Sequence, residues 1–181
     1  MKVMKVIKEI VYDYKHYSKD KKGVNKIIVP FYYSGLQGLF IYRILNYLYI
    51  NSDNKLFALL YKLLFLILYI PFKNITGIEI HPEAKIGKGL YLPHGHSVVI
   101  SKKAIIGNCV IIHQNCTIGI NYNTGEAPVI GDNVFIGANS TLIGGIKIGD
   151  NCTILCNSSV VNSFPSNSLI GGVPAKKIER S

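Results

Sequence analysis

Residues 130–154 read IGDNVFIGANSTLIGGIKIGDNCTI, and one aliphatic residue recurs in this stretch at every sixth position. The same spacing continues outward in both directions, with one unit lengthened to eight residues and one interruption at about residues 120–129. A fixed short period held through a dozen units is the signature of a repeat architecture. The units begin at Ile80, Ile86, Leu92, Ile100, Ile106, Ile112, Ile118, Ile130, Ile136, Leu142, Ile148, Ile154 and Val160.

The six-residue period predicts short strands separated by corners, with three units closing a triangular coil of eighteen residues. Coils of this kind stack at about 4.8 Å, and the aliphatic side chains fill the interior. A glycine follows the aliphatic residue in several units, where we expect either a positive φ or a close backbone approach. Cys116 and Cys152 occupy the small fourth position, so packing is their expected role. The predicted fold is mainly β, a parallel β-helix.

The first part of the chain has a different, helical pattern. Apolar residues recur at three- and four-residue steps over residues 36–48, and residues 56–72 are apolar apart from Lys62. Pro30 and Pro71 are expected to bracket this pair of helices. We therefore predict a helical, basic and apolar region at residues 1–73 and a β-helix with a tail at residues 74–181.

The apolar run at residues 56–72 is slightly shorter than the roughly 20 residues that a bilayer-spanning helix needs. Three interpretations stay open. The helix packs against partner subunits or the second domain, which we favour; it lies on a membrane beside the basic N-terminal arm; or it spans the membrane.

Composition narrows the classes of protein. The 181 residues are 49% apolar and 17% charged, which excludes a disordered chain and predicts one ordinary domain with a short appendage. The formal net charge of +10 favours anionic partners, and half of this excess lies in the first 26 residues. The four cysteines lack paired spacing, and no secretory signal is evident, so we expect a cytoplasmic protein with reduced thiols.

The hexad series, with IHPEAKIGKGLYLPHGHSVVI at residues 80–100 and GGVPAKKI at residues 171–178, resembles the left-handed β-helix acyltransferases, and within them the serine acetyltransferase branch. The resemblance covers about residues 77–178. It implies a left-handed coil, a homotrimer, and acetyl-CoA as co-substrate in the groove between adjacent prisms. No nucleic-acid partner and no metal are expected.

Acetylation of a hydroxyl group requires a base, and a neutral histidine suits this role near pH 7. His94 lies in the lengthened unit, where a bulge would lift its side chain into the groove, and it matches the base histidine of the resembled enzymes. Glu79 matches the aspartate that pairs with that histidine. We therefore predict His94 and Glu79 as the catalytic residues, against the alternatives of a structural corner histidine and a solvated glutamate.

Two further histidines are candidates for binding the acceptor. His113 follows His94 by nineteen residues, close to one coil, and His96 is adjacent in sequence. Alternatively, His113 caps a corner. A zinc site formed by His94, His96 and His113 is an alternative, since zinc enzymes with three histidine ligands have a similar prism, but the spacing and the lack of acidic neighbours argue against it.

The resemblance also implies cofactor contacts. The pantetheine arm is expected beside Ala138 and Cys156, and the thioester near Gly119. Lys176 and Lys177 are predicted to contact the CoA phosphates, with a solvated basic tail as the alternative.

The sequence departs from the serine branch where that branch holds serine. Pro93 stands in place of an aspartate before His94, and the loop NYNTGEAPVIG offers Glu126 and Ala127 in place of an Arg-His pair. Together with the short basic and apolar N-terminal region, this favours a sugar hydroxyl of a surface polysaccharide such as capsule or O-antigen as acceptor, at the inner face of the cytoplasmic membrane. Serine is the alternative acceptor, and a non-catalytic membrane-side assembly platform is the alternative of another class.

Overall fold

The computed structural model describes residues 2–179, so the ends of the two predicted regions at Met1 and Ser181 lie outside the described residues. The N-terminal part is helical, and the rest is built from very short strands. The helices are α1 (Lys2–Tyr17), α2 (Val24–Tyr32), α3 (Ser34–Ile50), α4 (Lys55–Leu64), a π-helical turn (Phe65–Tyr69) and α5 (Ile70–Thr76). The last helix ends at Thr76, so the predicted division between residues 73 and 74 falls inside α5.

The strands are only two to four residues long because the chain turns a corner after each of them. They are β1 (Glu79–Ile80), β2 (Lys85–Ile86), β3 (Val99–Ile100), β4 (Ile105–Ile106), β5 (Ile111–Ile112), β6 (Thr117–Gly119), β7 (Val129–Ile130), β8 (Phe135–Ile136), β9 (Thr141–Ile143), β10 (Lys147–Ile148), β11 (Thr153–Ile154), β12 (Ser159–Val160), β13 (Leu169–Gly172) and β14 (Ala175–Ile178).

The strands form three sheets, one on each side of a prism. Sheet A has the order β1-β3-β6-β9-β12, sheet B the order β10-β7-β4-β2, and sheet C the order β14-β13-β11-β8-β5. Every pairing is parallel except that of β13 with β14. The predicted parallel β-helix is confirmed.

The aliphatic residue of each hexad lies in the core of the prism. Ile100, Ile112, Ile118 and Ile136 are completely buried, and Cys116 and Cys152 pack among them as predicted. Parallel register aligns these residues from coil to coil, as in the pairing of Ile100 with Ile118. The core therefore runs along the whole axis of the β-helix.

The glycines that follow the aliphatic residues serve close backbone approach. A Cβ on Gly137 would lie 2.6 Å from the backbone nitrogen of Cys156, and one on Gly87 would lie 2.6 Å from the carbonyl oxygen of Gly107. The positive φ angles are found at other positions, mostly at asparagines such as Asn115 and Asn139 and at other glycines such as Gly89. Asparagine tolerates the left-handed region better than most residues with a side chain.

Helix α3 closes the first coil. A first coil has no preceding coil to pair with, so its backbone carbonyls need other donors. The Tyr42 hydroxyl donates to the carbonyl of Ala84 at 2.7 Å, and the Asn46 amide donates to that of Pro82 at 2.7 Å. Arg43 donates to the carbonyls of Ile86 and Gly87.

Helix α1 completes this cap with a buried ion pair. Asp13 and Arg43 are almost completely buried, and Arg43 Nε donates to Asp13 Oδ2 at 3.0 Å. The other Asp13 oxygen accepts from the backbone nitrogen of Gly89 at 2.6 Å. Burial raises the pKa of Asp13, and the Arg43 guanidinium opposes that shift. The helical region and the β-helix are thus bonded into one unit.

The two prolines do not bracket the helices as predicted. Pro30 lies inside α2, and it has no N–H to donate to the carbonyl of Lys26. That carbonyl instead accepts a hydrogen bond from the Tyr14 hydroxyl at 3.1 Å. Pro71 lies in the first turn of α5, directly after the π-helical turn, in which the backbone nitrogen of Ile70 donates to the carbonyl of Phe65. The wider turn accommodates the proline, and the helical path continues.

The continuous helical segment Lys55–Thr76 is 22 residues long. Its most apolar 18 residues have a mean hydropathy of 1.9, and only 6% of them are buried. By length and composition alone it suffices to cross a membrane. Tyr69 is buried, whereas Leu59, Leu66 and Ile75 are exposed. Packing, surface contact and spanning all remain predictions for this helix.

Candidate functional site

The turns that join sheet C to sheet A stack into one edge of the prism, which we call the histidine corner (residues 93–98, 113–116, 137–140 and 155–158). Its left-handed positions carry asparagine in three successive coils. The Asn115 amide donates to Asn139 Oδ1 at 3.0 Å, and the Asn139 amide donates to Asn157 Oδ1 at 3.1 Å. This ladder holds the corner in a fixed conformation.

His94 lies at the start of the histidine corner in the lengthened unit. The start of α3 anchors this bulge, because Ser34 Oγ donates to the carbonyl of Gly95 at 2.6 Å and Gly95 is buried against Gly35. The His94 side chain is exposed beside this anchor. The extra residues therefore place the imidazole on the outside of the prism, and its place in a groove between chains stays a prediction.

The structure brings His94 and His113 together. Their ring centroids lie 5.7 Å apart, and the His113 ring packs on Phe135 with a centroid distance of 5.1 Å. Burial lowers the pKa of His113, and the neighbouring His94 lowers it further, while the Gln114 side chain opposes the shift. His113 is therefore held neutral more firmly than an ordinary exposed histidine.

Glu79 is not brought to His94. Its Oε2 atom forms an ion pair with Lys73 Nζ at 2.6 Å, and among the hydrogen bonds and ion pairs of residues 2–179 none joins Glu79 to His94. Glu79 has this lysine partner because α5 ends directly before β1 and places Lys73 within reach of the carboxylate. A catalytic role for Glu79 stays a prediction.

His96 lies on the same turn as His94, and its side chain is exposed. Its Nδ1 atom lies 3.1 Å from Ser97 Oγ, and its backbone carbonyl accepts from the nitrogen of Asn115 at 3.1 Å. It is thus near the histidine pair along the chain, while its ring is engaged with its neighbour. Acceptor binding by His96 and His113 stays a prediction.

Sequence reasoning missed Gln114. Its Oε1 atom is buried, and within the described residues it has no hydrogen-bond partner of good geometry, although the side chain lies close enough to His113 to favour the charged form of that ring. A buried acceptor without a donor is unfavourable unless a ligand supplies one. The only signal in the sequence is its place after His113, which does not reveal burial of a single atom.

The predicted cofactor residues fall into two groups. Ala138 and Cys156 lie at the histidine corner in the two coils that follow His113, and Cys156 is exposed. Gly119 ends β6, so it lies at the far end of the sheet A strand from that corner. A slot containing both Gly119 and His94 therefore favours two neighbouring chains, as the predicted trimer requires.

Lys176 and Lys177 belong to β14 and not to a loose tail. They pair with Gly171 and Ile170 of β13 in the antiparallel hairpin that ends the β-helix. Both lysine side chains are exposed and free to reach a phosphate. Contact with CoA stays a prediction.

The loop after Gly119 is compact. Asn121 Oδ1 accepts from the backbone nitrogen of Asn123 at 2.9 Å, and Lys103 Nζ donates to the carbonyl of Gly125 at 2.7 Å. Tyr122 is 97% exposed, Glu126 is exposed and Ala127 is buried. The loop therefore presents an aromatic ring and a carboxylate.

A metal centre finds no support in these groups. Within residues 2–179, no three histidine, cysteine, aspartate or glutamate side chains are grouped closely enough to hold a metal ion.

Comparison with protein families matches residues 127–162 to the bacterial transferase hexapeptide (six repeats) family. A curated serine acetyltransferase of Synechococcus elongatus is 32% identical over 170 residues, which are 91% of this chain and 65% of that protein. The chain thus spans slightly less than two thirds of this relative.

Two solved structures are similar over almost the whole chain. The serine acetyltransferase of Neisseria gonorrhoeae in complex with serine has a TM-score of 0.79 and 31% identity, covering 96% of this chain and 69% of that one. The soybean serine acetyltransferase apoenzyme has a TM-score of 0.81 and 30% identity, with the same coverage. The helices and the β-helix are both included in these similarities.

Proposed function

This chain belongs to the serine acetyltransferase family, and from that membership we propose that it transfers the acetyl group of acetyl-CoA to a hydroxyl group. The observation that carries the proposal is the exposed imidazole of His94, held on the histidine corner beside His113. The active form is a homotrimer, with each slot formed between two neighbouring chains.

His94 acts as the general base. It takes the proton of the acceptor hydroxyl while the oxygen forms a bond to the thioester carbonyl carbon. Backbone amides near Gly119 of the neighbouring chain stabilise the oxyanion. The carbon–sulfur bond then breaks, and the proton passes from His94 to the CoA sulfur.

His113 supports this step by staying neutral. When His94 takes up a proton, a second imidazolium 5.7 Å away would oppose the charge. The lowered pKa of His113 avoids that repulsion. Gln114 Oε1 then accepts a hydrogen bond from the acceptor or from an amide of the pantetheine arm.

Serine is the acceptor that the relatives' names favour, over the polysaccharide sugar that the sequence departures suggested. The comparisons give no support to capsule or polysaccharide synthesis. A sugar hydroxyl is kept as the second candidate on one observation: the loop after Gly119 offers the exposed Tyr122 ring and the Glu126 carboxylate, which suit a sugar face and its hydroxyls.

The test measures CoA release from acetyl-CoA with free serine and, separately, with nucleotide sugars and surface glycan fragments. Rapid turnover of serine supports the first candidate, and turnover of a sugar alone supports the second. Absence of CoA release with every acceptor, accompanied by no rise in melting temperature at millimolar acetyl-CoA, would contradict the proposal, since a ligand that binds only the folded state must stabilise it.

A further inference from the structure

Helix α1 has two apolar faces, of which only one is used by the fold. The inner face packs on the β-helix through Asp13 and Tyr17. On the outside, Val3, Ile7 and Val11 recur at four-residue steps and are 43–50% exposed, with Met4 beside them at 60%. A regular exposed apolar stripe on a helix is typical of a surface that contacts another apolar phase.

Helix α2 repeats this arrangement. Val24, Ile27, Ile28 and Phe31 lie at the spacing of one helical face, and their exposed fractions range from 48% to 81%. Val29, on the other face, is buried against Leu36. The hydrogen bond from Tyr14 to the carbonyl of Lys26 joins the two helices, so we treat residues 3–32 as one α1–α2 hairpin.

The hairpin surface is strongly basic. Two of its three acidic side chains are neutralised within the fold, because Asp13 is buried with Arg43 and Glu9 lies 3.5 Å from Arg43 and 3.8 Å from Lys5. The third, Asp20, is exposed and is outnumbered by the surrounding lysines. Lysines follow both stripes on the solvent side. They are Lys5, Lys8, Lys15, Lys19, Lys21, Lys22 and Lys26.

We propose that the α1–α2 hairpin docks onto the surface of an anionic lipid bilayer. Exposed apolar stripes flanked by lysines combine insertion into the headgroup region with attraction to acidic lipids. At 16 and 9 residues, neither helix is long enough to span a bilayer. A second copy of the chain is the poorer occupant, because it would present the same lysines and repel them.

Docking in this way brings the histidine corner close to the lipid. The hairpin leads directly into α3, and Ser34 at the start of α3 donates to Gly95, the residue after His94. The aromatic ring of His16 also packs edge-on against Tyr91, on the strand path that leads to His94. The proposal holds whichever acceptor the enzyme uses.

The experiment measures sedimentation of the full chain with vesicles of phosphatidylcholine containing about 30% phosphatidylglycerol, and with phosphatidylcholine alone, near physiological salt. The intact protein binds the acidic vesicles at least about tenfold more tightly. Phe31→Glu combined with Ile27→Glu weakens this binding by about tenfold or more. The matched control is Val173→Glu, since Val173 is 76% exposed in the β13–β14 hairpin at the other end of the β-helix, and it leaves binding unchanged.

A second pair of variants tests the lysines of the hairpin. Each variant removes three positive charges, so the two proteins have the same net charge. Replacing Lys8, Lys22 and Lys26 by Gln weakens binding by about tenfold or more, whereas replacing the exposed Lys102, Lys103 and Lys147 of the β-helix does not. Equal behaviour of the two triple variants, loss of binding in Val173→Glu alone, or no binding by the intact protein would overturn the proposal. So would a change in oligomeric mass of the Phe31 variant without lipid, combined with undiminished vesicle binding.

Discussion

At the scale of single residues, the candidate chemistry depends on two imidazoles whose surroundings differ. His94 is exposed on a bulge that α3 anchors through Ser34, and His113 is half-buried against Phe135. The same residue type therefore serves two tasks in adjacent coils. The exposed ring is placed to meet an acceptor, and the shielded ring is kept uncharged.

Replacement of His94 by Ala is expected to lower kcat by about 10²- to 10⁴-fold, because a general base contributes that much to a proton transfer. The side chain is exposed, so the melting temperature should stay close to that of the unmodified protein. Steady-state CoA release and thermal unfolding are measured on the same preparation. A near-normal kcat would remove His94 from the mechanism.

The pH titration of His113 should have its midpoint below the ordinary histidine value of about 6.5. Since the unfolded chain binds this proton more readily, His113 favours unfolding as the pH falls below that value. In the His94→Ala variant the midpoint should rise, because one of the two causes of the shift is removed. NMR titration of the carbon-bound protons of the imidazole measures the His113 midpoint in the unmodified protein and in the variant. The same midpoint in both proteins would show that His94 does not lower the pKa of His113.

The sequence predicted the histidine pair but not the partner of Glu79. A nineteen-residue separation is close to one coil, so the period alone places His113 next to His94. The ion pair of Glu79 with Lys73 depends on where α5 ends, and the apolar pattern suggested an end at Pro71. Pairings across the boundary between a helix and a β-helix are not encoded by either period.

At the scale of elements, the asparagine ladder sets the shape of the histidine corner. Asn139→Ala removes two hydrogen bonds and places an alanine at a φ of 61°. We expect a loss of about 1–3 kcal/mol in the free energy of unfolding, from the left-handed backbone and the lost bonds together. Urea unfolding measures this loss.

Asn139→Gly is the matched control, because glycine adopts the same φ without a steric penalty. It should lose the hydrogen bonds and retain the backbone conformation, and so be less destabilised than the alanine variant. If both variants lose the same free energy, backbone conformation is not what the asparagine supplies.

The hexads were predictable as elements because each coil repeats the same buried aliphatic residue. The roles of the glycines and asparagines in each hexad were harder to predict. The repeated glycines permit close backbone approach, and asparagines take several of the positive φ angles. The C-terminal hairpin of β13 with β14 was not predicted either, since Lys176 and Lys177 read as a basic tail. Antiparallel pairing of four residues leaves no periodic signal.

At the scale of the whole molecule, a buried ion pair between α1 and α3 holds two side chains that both bond to the β-helix. Asp13→Ala leaves Arg43 buried without its carboxylate and also frees the backbone nitrogen of Gly89. The expected loss is about 3–5 kcal/mol in the free energy of unfolding. Thermal or urea unfolding followed by circular dichroism measures it.

The shape of that transition is also informative. Because α1 and α3 donate to and accept from the first coil, helix and strand signals should be lost together in the Asp13→Ala variant and in the unmodified protein. Separate transitions for the two regions would show that the junction is weaker than its contacts indicate.

The side chains of Tyr42, Arg43 and Asn46 also limit association of the β-helix with other chains at its first coil. A first coil without these donors would expose unsatisfied carbonyls along residues 82–87. An exposed edge of this kind is a template on which backbone N–H groups of another chain can pair. The N-terminal helices therefore protect this end of the β-helix from pairing with other chains and so from aggregation.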